Sequence, residues 1–163
     1  QGCEVNIVCT GNLKDLRTRD NSYLSSLKKY INTQKIGPNI NILGMVQYID
    51  VLTLMRNSKA IINPSKFEGW SSTVEEAKSM GKLSILSNIP VHKEQNPLNS
   101  IFFEQDDEEE LASILNNIQN DYDPIAQDNF RDLAEDDLKK RTIKFGQKYI
   151  SIIKEIHESK LKN

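Results

Sequence analysis

Little in this sequence points to a membrane, a metal or a disulfide scaffold. Two cysteines, Cys3 and Cys9, are too few to staple a chain of 163 residues. No Cys/His grouping has metal-ligand spacing, so no metal site is expected. Apolar runs stay well short of the ~20 residues that a membrane-spanning helix needs. Charge of one sign is lacking too: the formal net charge of -2 is too balanced to attract nucleic acid over a broad face. The start, Gln1 to Thr10, has neither the basic head nor the long apolar core of a signal peptide. The missing signal and the missing disulfide framework together predict a cytoplasmic location. Cys9 ends an apolar run and is expected to be a buried small hydrophobe.

What is present is a folded chain. Hydrophobic residues make up 37% and charged residues 27%, and apolar runs recur along the whole length, so residues 1–163 read as one globular domain with one core. The chain starts at Gln1 and enters a strand-like run within four residues, which predicts a piece of a longer protein. Val5-Asn6-Ile7-Val8-Cys9 is short, apolar and β-branched, a buried strand ended by Thr10-Gly11-Asn12. Tyr23, Leu24, Leu27, Tyr30 and Ile31 recur at helical spacing until Gly37-Pro38. Ile40 to Leu43 predicts a second strand, and Ile49, Leu52, Leu54 and Met55 a short helix. Ala60-Ile61-Ile62 is a third strand, stopped by Asn63-Pro64. Val74, Ala77 and Met80 share one face of a helix that Gly81 ends. Leu83 to Leu86 forms a fourth strand and Ile101-Phe102-Phe103 a short fifth. Beyond Asp107 one helix carries Leu111, Ile114, Leu115 and Ile118, and a last, long one carries Phe145, Tyr149, Ile152, Ile153 and Ile156. The acidic run Glu108-Glu109-Glu110 suits a first helical turn, where carboxylates complement the helix dipole. Strands that are continuous apolar runs, alternating with helices, predict an α/β fold: a Rossmann-like parallel sheet with helices on both faces, then C-terminal helices.

In open parallel sheets, ligands bind beyond the carboxyl ends of the strands. Three loops leave such ends: Thr10-Gly11-Asn12, Gly44-Met45-Val46, and Asn63 through Ser72. The third is the most informative. It runs from a strand end, through Gly69, into a helix start. Gly69 lets backbone approach a ligand with no side chain in the way. The N–H groups from about Ser71 to Val74 form an anion site suited to a diphosphate, and Ser71, Ser72 and Thr73 add hydroxyl donors. Glu68 stands before the turn and Glu76 inside the helix, and a carboxylate accepts the two hydrogen bonds that a sugar diol offers. Acid, phosphate cradle, acid is the layout of a sugar-nucleotide site, with Glu68 at the sugar and Glu76 at the ribose. A plainer account fits the same residues. Ser72 with Glu75, or Thr73 with Glu76, makes a capping box; Glu68 is then an ordinary loop acid and Trp70 core packing. No dinucleotide glycine fingerprint is present.

The run Pro64-Ser65, then Phe67-Glu68-Gly69-Trp70-Ser71, Val74-Glu75-Glu76-Ala77, Gly81-Lys82 and Ser87 through Gln95 resembles the group 1 glycosyltransferases, family 4. Their hallmark is two glutamates with seven residues between them, the spacing of Glu68 and Glu76. The resemblance covers nearly the whole chain. It implies the C-terminal half of a GT-B glycosyltransferase, in which Glu68 acts at the donor sugar, Glu76 holds the ribose, and backbone from Gly69 to Ser72 holds sugar and diphosphate. Ile42 to Val46 resembles the strand and loop that border the nucleotide base. The implied activity is retaining transfer of a sugar from a nucleotide-diphosphate sugar, without a cofactor or a required metal, to a glycan or lipid-linked acceptor, often in bacterial surface polysaccharide synthesis. Two departures stand out. Many members have Phe-Gly-Leu or Phe-Gly-Ile where this chain has Trp70-Ser71-Ser72. The family's C-terminal domain usually begins with one more strand and helix carrying a Gly-Arg and a downstream Lys, which offset charge on the departing diphosphate. No such unit precedes Val5, and Arg17, Arg19, Lys28 and Lys29 do not follow that pattern. The acceptor-binding N-terminal domain is missing too, so this chain by itself is expected to transfer little or no sugar.

His92 is placed in a loop after the fourth strand, beside Glu94, either at the cleft or as a surface histidine. Lys139-Lys140-Arg141 suits a solvated helix end, with peripheral contact to an anionic membrane as the other reading. The apolar stripe from Phe145 to Ile156 reads as docking surface, its partner the missing domain. Two rival functions remain: a non-catalytic doubly wound regulatory or interaction module, and a GT-B sugar-nucleotide epimerase domain.

Overall fold

The computed structural model describes residues 5–13 and 22–161, so Cys3, Arg17 and Arg19 lie outside the described residues. In chain order the elements are β1 (Ile7–Thr10), α1 (Ser22–Thr33), β2 (Ile40–Gly44), α2 (Tyr48–Asn57), β3 (Ile61–Asn63), α3 (Ser72–Ser79), β4 (Ser84–Ser87), α4 (Pro90–Gln95), β5 (Ser100–Phe103), α5 (Glu108–Asp121) and α6 (Pro124–Leu161). The strands pair in parallel throughout, β1 with β2 and β3-β4-β5 in a second sheet. This is the α/β class that the alternating apolar runs predict. The chain divides into two compact units, Gln1–Lys59 with Asp107–Tyr122 and Ala60–Asp106 with Asp123–Asn163.

In the first unit the expected strands and helices form, but burial is slight. Among the described residues β1 bonds only to β2, and Val8 and the free thiol of Cys9 are exposed. The expectation that Cys9 is a buried hydrophobe is therefore corrected: this edge strand leaves it uncovered. Helix α1 stops at Thr33, before Gly37-Pro38. Lys35 adopts a left-handed conformation (φ 57) and its N–H reaches back to the Asn32 carbonyl, while the Ile36 N–H reaches Ile31, a left-handed C-terminal cap without glycine. Gly37–Asn39 then forms a 3-10 turn that feeds β2. At the start of α5 the Asp107 carboxylate accepts from the Glu110 N–H at 2.8 Å, and the three glutamates fill the first turn as the dipole argument requires.

The second unit holds the better core. Strand β4 is central and buried along its whole length. Ile85 and Leu86 alternate to opposite faces of the sheet, yet both are 0% exposed, so at β4 the sheet is covered on both sides. Val74 and Ala77 seat α3, which packs against α6, α4 and β4. Gly81 closes α3 at φ 63, and a Cβ there would lie 2.2 Å from the Phe130 carbonyl oxygen of α6. Glycine is needed at this position both for its backbone and for the approach of α6. The Gln127 side chain of α6 fastens the same turn, donating to the Gly81 carbonyl at 2.9 Å and accepting from the Leu83 N–H at 3.3 Å.

Helix α6 is one element of 38 residues. Lys139-Lys140-Arg141 thus lie in its middle rather than at a solvated helix end. Lys139 makes an exposed pair with Glu135, whereas Arg141 is two-thirds covered and reaches Glu75 of α3 and Asp137. Phe145, Tyr149, Ile152, Ile153 and Ile156 are each roughly half exposed or more, and the rings of Phe145 and Tyr149 stack at 6.3 Å. No helix among the described residues is long and apolar enough to cross a membrane.

Candidate functional site

The loop from β3 to α3 is organised around Asn63. This residue ends β3 and is buried, and being polar it must find partners there. Its amide nitrogen donates to Glu68 Oε1 at 2.8 Å and to Ser71 Oγ at 3.0 Å, and its Oδ1 accepts from the Ser65 N–H at 3.2 Å. One side chain thereby closes the loop on itself and aims the Glu68 carboxylate. Burial alone raises the Glu68 carboxyl, but hydrogen bonds from Ser65, Asn63 and Ser71 outweigh it and hold the group below its ordinary value of 4.5. Glu68 is a fixed, ionised acceptor.

Helix α3 starts earlier than either capping box requires, by one residue for Ser72 with Glu75 and by two for Thr73 with Glu76. The N-cap is Ser71, whose hydroxyl oxygen accepts from the Val74 N–H at 3.4 Å. The Ser71 N–H is itself held by Gln95 Oε1 at 3.4 Å. The anion site predicted over Ser71 to Val74 therefore narrows to Ser72 and Thr73, both exposed; N–H groups at the first positions of a helix have no intrahelical acceptor. The departure from the family's second glycine also gains a physical role, because the Ser71 side chain is the joint between Asn63, Glu68 and the helix start. Gly69 is exposed, its φ is not positive, and an added Cβ would meet nothing within 4 Å. The fold does not require glycine at that point, and the approach to the backbone is open. Trp70 is 55% exposed and Phe67 88%, which removes the reading of Trp70 as core.

Helix α4 supplies what sequence reading missed. Gln95 is 1% exposed, and its amide nitrogen donates to the Ser71 carbonyl at 2.8 Å and to Glu75 Oε1 at 3.1 Å. Glu75 continues to Arg141 of α6 at 3.4 Å. Glu76, one position on, is half-buried on α3. His92 was expected in a loop; it lies inside α4 and is 0% exposed, because Pro90 opens a helix directly after Ile89 and turns the imidazole inward. Glu94 is exposed on the same helix. The only signal that marked Asn63, Ser87 and Gln95 was polarity in or beside apolar runs at strand and helix ends. Lys82, next to Gly81, is buried, and burial draws its ammonium below the usual lysine value.

In the first unit, Gly11 and Gly44 meet at the carboxyl ends of β1 and β2, the Gly11 N–H donating to the Gly44 carbonyl at 2.9 Å. Both have positive φ, 132 and 75. Met45 is 74% exposed and Val46 partly covered. Among the described residues no group of three or more His, Cys, Asp or Glu is placed to hold a metal ion.

Parallel strands with an oriented acid and a helix N-terminus beyond their carboxyl ends define a Rossmann-like ligand-binding domain. The chain belongs to the glycosyl transferases group 1, whose family profile matches residues 3–137. Its fold is similar to that in the crystal structure of Anabaena HepE in complex with UDP, with a TM-score of 0.68 and 20% identity over 81% of this chain. The match places the fold with the C-terminal half of a GT-B glycosyltransferase and spans 36% of the HepE chain. No curated protein matches the sequence.

Proposed function

We propose that this chain is the donor-binding domain of a retaining glycosyltransferase and that it takes a nucleotide-diphosphate sugar at the β3–α3 loop. The observation that carries the reading is the seat of Glu68: an ionised carboxylate fixed by Asn63, Ser65 and Ser71 directly before the α3 N-terminus. An acceptor held in one place suits the hydroxyls of the transferred sugar. The adjacent Ser72 and Thr73 N–H groups suit the diphosphate, Gly69 leaves that approach open, and Glu76 on α3 takes the ribose hydroxyls. Glu68 is the group assigned to the reacting sugar, from whose hydroxyls it accepts hydrogen bonds. The acceptor is a glycan or lipid-linked hydroxyl, and surface polysaccharide synthesis in the cytoplasm is the setting that the family suggests. The half-exposed apolar face of α6 is assigned to contact with the remainder of the enzyme.

Calorimetric titration with UDP, GDP and ADP, each beside its hexose conjugate, tests the proposal. UDP comes first because HepE was crystallised with it. Binding of one nucleotide that Glu76→Ala weakens is the expected result. Failure of all three nucleotides to bind would reject the proposal in favour of a doubly wound interaction module.

A further inference from the structure

Gln95 of α4 holds Ser71 at both ends of its backbone. Its Oε1 accepts from the Ser71 N–H at 3.4 Å, and its Nε2 donates to the Ser71 carbonyl at 2.8 Å. The same nitrogen donates to Glu75 Oε1 at 3.1 Å. Reversing the amide would set its oxygen against the Ser71 carbonyl and the Glu75 carboxylate, so only one orientation fits. Glu75 offers its other oxygen to Arg141 Nη1 of α6 at 3.4 Å, and Arg141 Nε donates to Asp137 at 2.6 Å. Ser71 is 4% exposed and Gln95 1%. Gln95 therefore touches no ligand and acts on the site only through Ser71.

The Ser71 carbonyl belongs to the same peptide group as the Ser72 N–H. That group is planar and trans, so its carbonyl and its N–H point in opposite directions. Fixing one fixes the other. The carbonyl is held between Gln95 Nε2 and the Glu75 N–H, the latter at 3.2 Å. The Ser72 N–H is thereby aimed away from these partners. Ser72 is exposed and stands at the first helical position, where its N–H has no intrahelical acceptor. Hydrogen bonds to the carbonyl also polarise the peptide group and strengthen its N–H as a donor. We propose that Gln95 is a positioning residue for the diphosphate: through the Ser71 carbonyl it aims the Ser72 N–H at a phosphate oxygen, and the tie from Glu75 to Arg141 keeps its amide in the one orientation that does so. This rests on the reading of the β3–α3 loop as a nucleotide-diphosphate-sugar site.

The probes are UDP, GDP and ADP, titrated into wild type and Gln95→Met, with the Ser72 amide followed in 1H–15N spectra. In the ligand-free variant the Ser72 amide nitrogen is expected to move upfield, because the Ser71 carbonyl has lost a donor. The amides of Ala77 and Lys78, further along α3, should stay in place. The nucleotide that wild type binds should weaken about tenfold, the effect of one hydrogen bond to a charged group. Its downfield pull on the Ser72 amide proton should shrink as well. A purely structural role for Gln95 predicts movement along the whole of α3; that result, or an affinity kept within about twofold, would overturn the assignment. Silence of wild type toward all three nucleotides removes the donor-site reading and this one with it, whereas binding that Gln95→Met leaves intact removes this one alone. Should the variant not fold, spectra of the wild type decide. The nucleotide must then move the Ser72 backbone amide and the Gln95 side-chain amide together, and a Gln95 amide that stays in place while Ser72 moves refutes the proposal.

Discussion

Gln95→Met tests how the start of α3 is held. The substitution keeps the length and most of the volume of the side chain and removes its polar atoms. Three hydrogen bonds go: to the Ser71 carbonyl at 2.8 Å, to Glu75 Oε1 at 3.1 Å, and from the Ser71 N–H at 3.4 Å. The Ser71 carbonyl still accepts from the Glu75 N–H at 3.2 Å, and Glu75 keeps Arg141. The Ser71 N–H, in a residue 4% exposed, is left without an acceptor. At about 1 kcal/mol for each of the two shorter bonds and about 1–3 kcal/mol for the orphaned donor, the expected loss is roughly 3–5 kcal/mol. Urea unfolding of both proteins measures it, and amide exchange locates it, with protection lost first at Ser71 and Val74. A loss within about 0.5 kcal/mol, the range of an ordinary surface change, would refute the reasoning and mean that α3 keeps its start without α4.

Gly81→Ala must force a side chain into the left-handed region and against the α6 backbone, where 2.2 Å separates the new Cβ from the Phe130 oxygen. The conformation alone costs about 1–2 kcal/mol, so a loss above about 2 kcal/mol is expected in urea unfolding. Gly146→Ala, inside α6 with nothing within 4 Å of a Cβ, should instead gain up to about 1 kcal/mol. The Glu68 carboxyl is held below 4.5 in the folded chain, so its contribution to stability is fully present above that ordinary value and is lost as pH falls through the lower folded value. A 13C titration of the Glu68 carboxyl should show a midpoint below 4.5 that Asn63→Ala raises; a midpoint indifferent to Asn63 would contradict the seat.

The sequence by itself determined the elements and the family. Apolar β-branched runs such as Ile40 to Leu43 and Leu83 to Leu86 favour strands, though only the second lies in a covered sheet. The acidic first turn of α5 and the glycine that ends α3 are local choices, legible because their causes lie within a few residues. The pair Glu68 and Glu76 was legible for the same reason, since loop and helix are contiguous. Tertiary structure decided which partners these residues meet. Gln95 reaches Ser71 across 24 positions and Arg141 reaches Glu75 across 66, and no local spacing announces either. Burial followed the same rule. Cys9 looked like core and is exposed because β1 is an edge, whereas His92, read as a loop residue at the cleft or at the surface, is buried because α4 turns it against Ser87. Hydrophobic pattern states which face an element must bury; only the assembled neighbours state whether that face is covered.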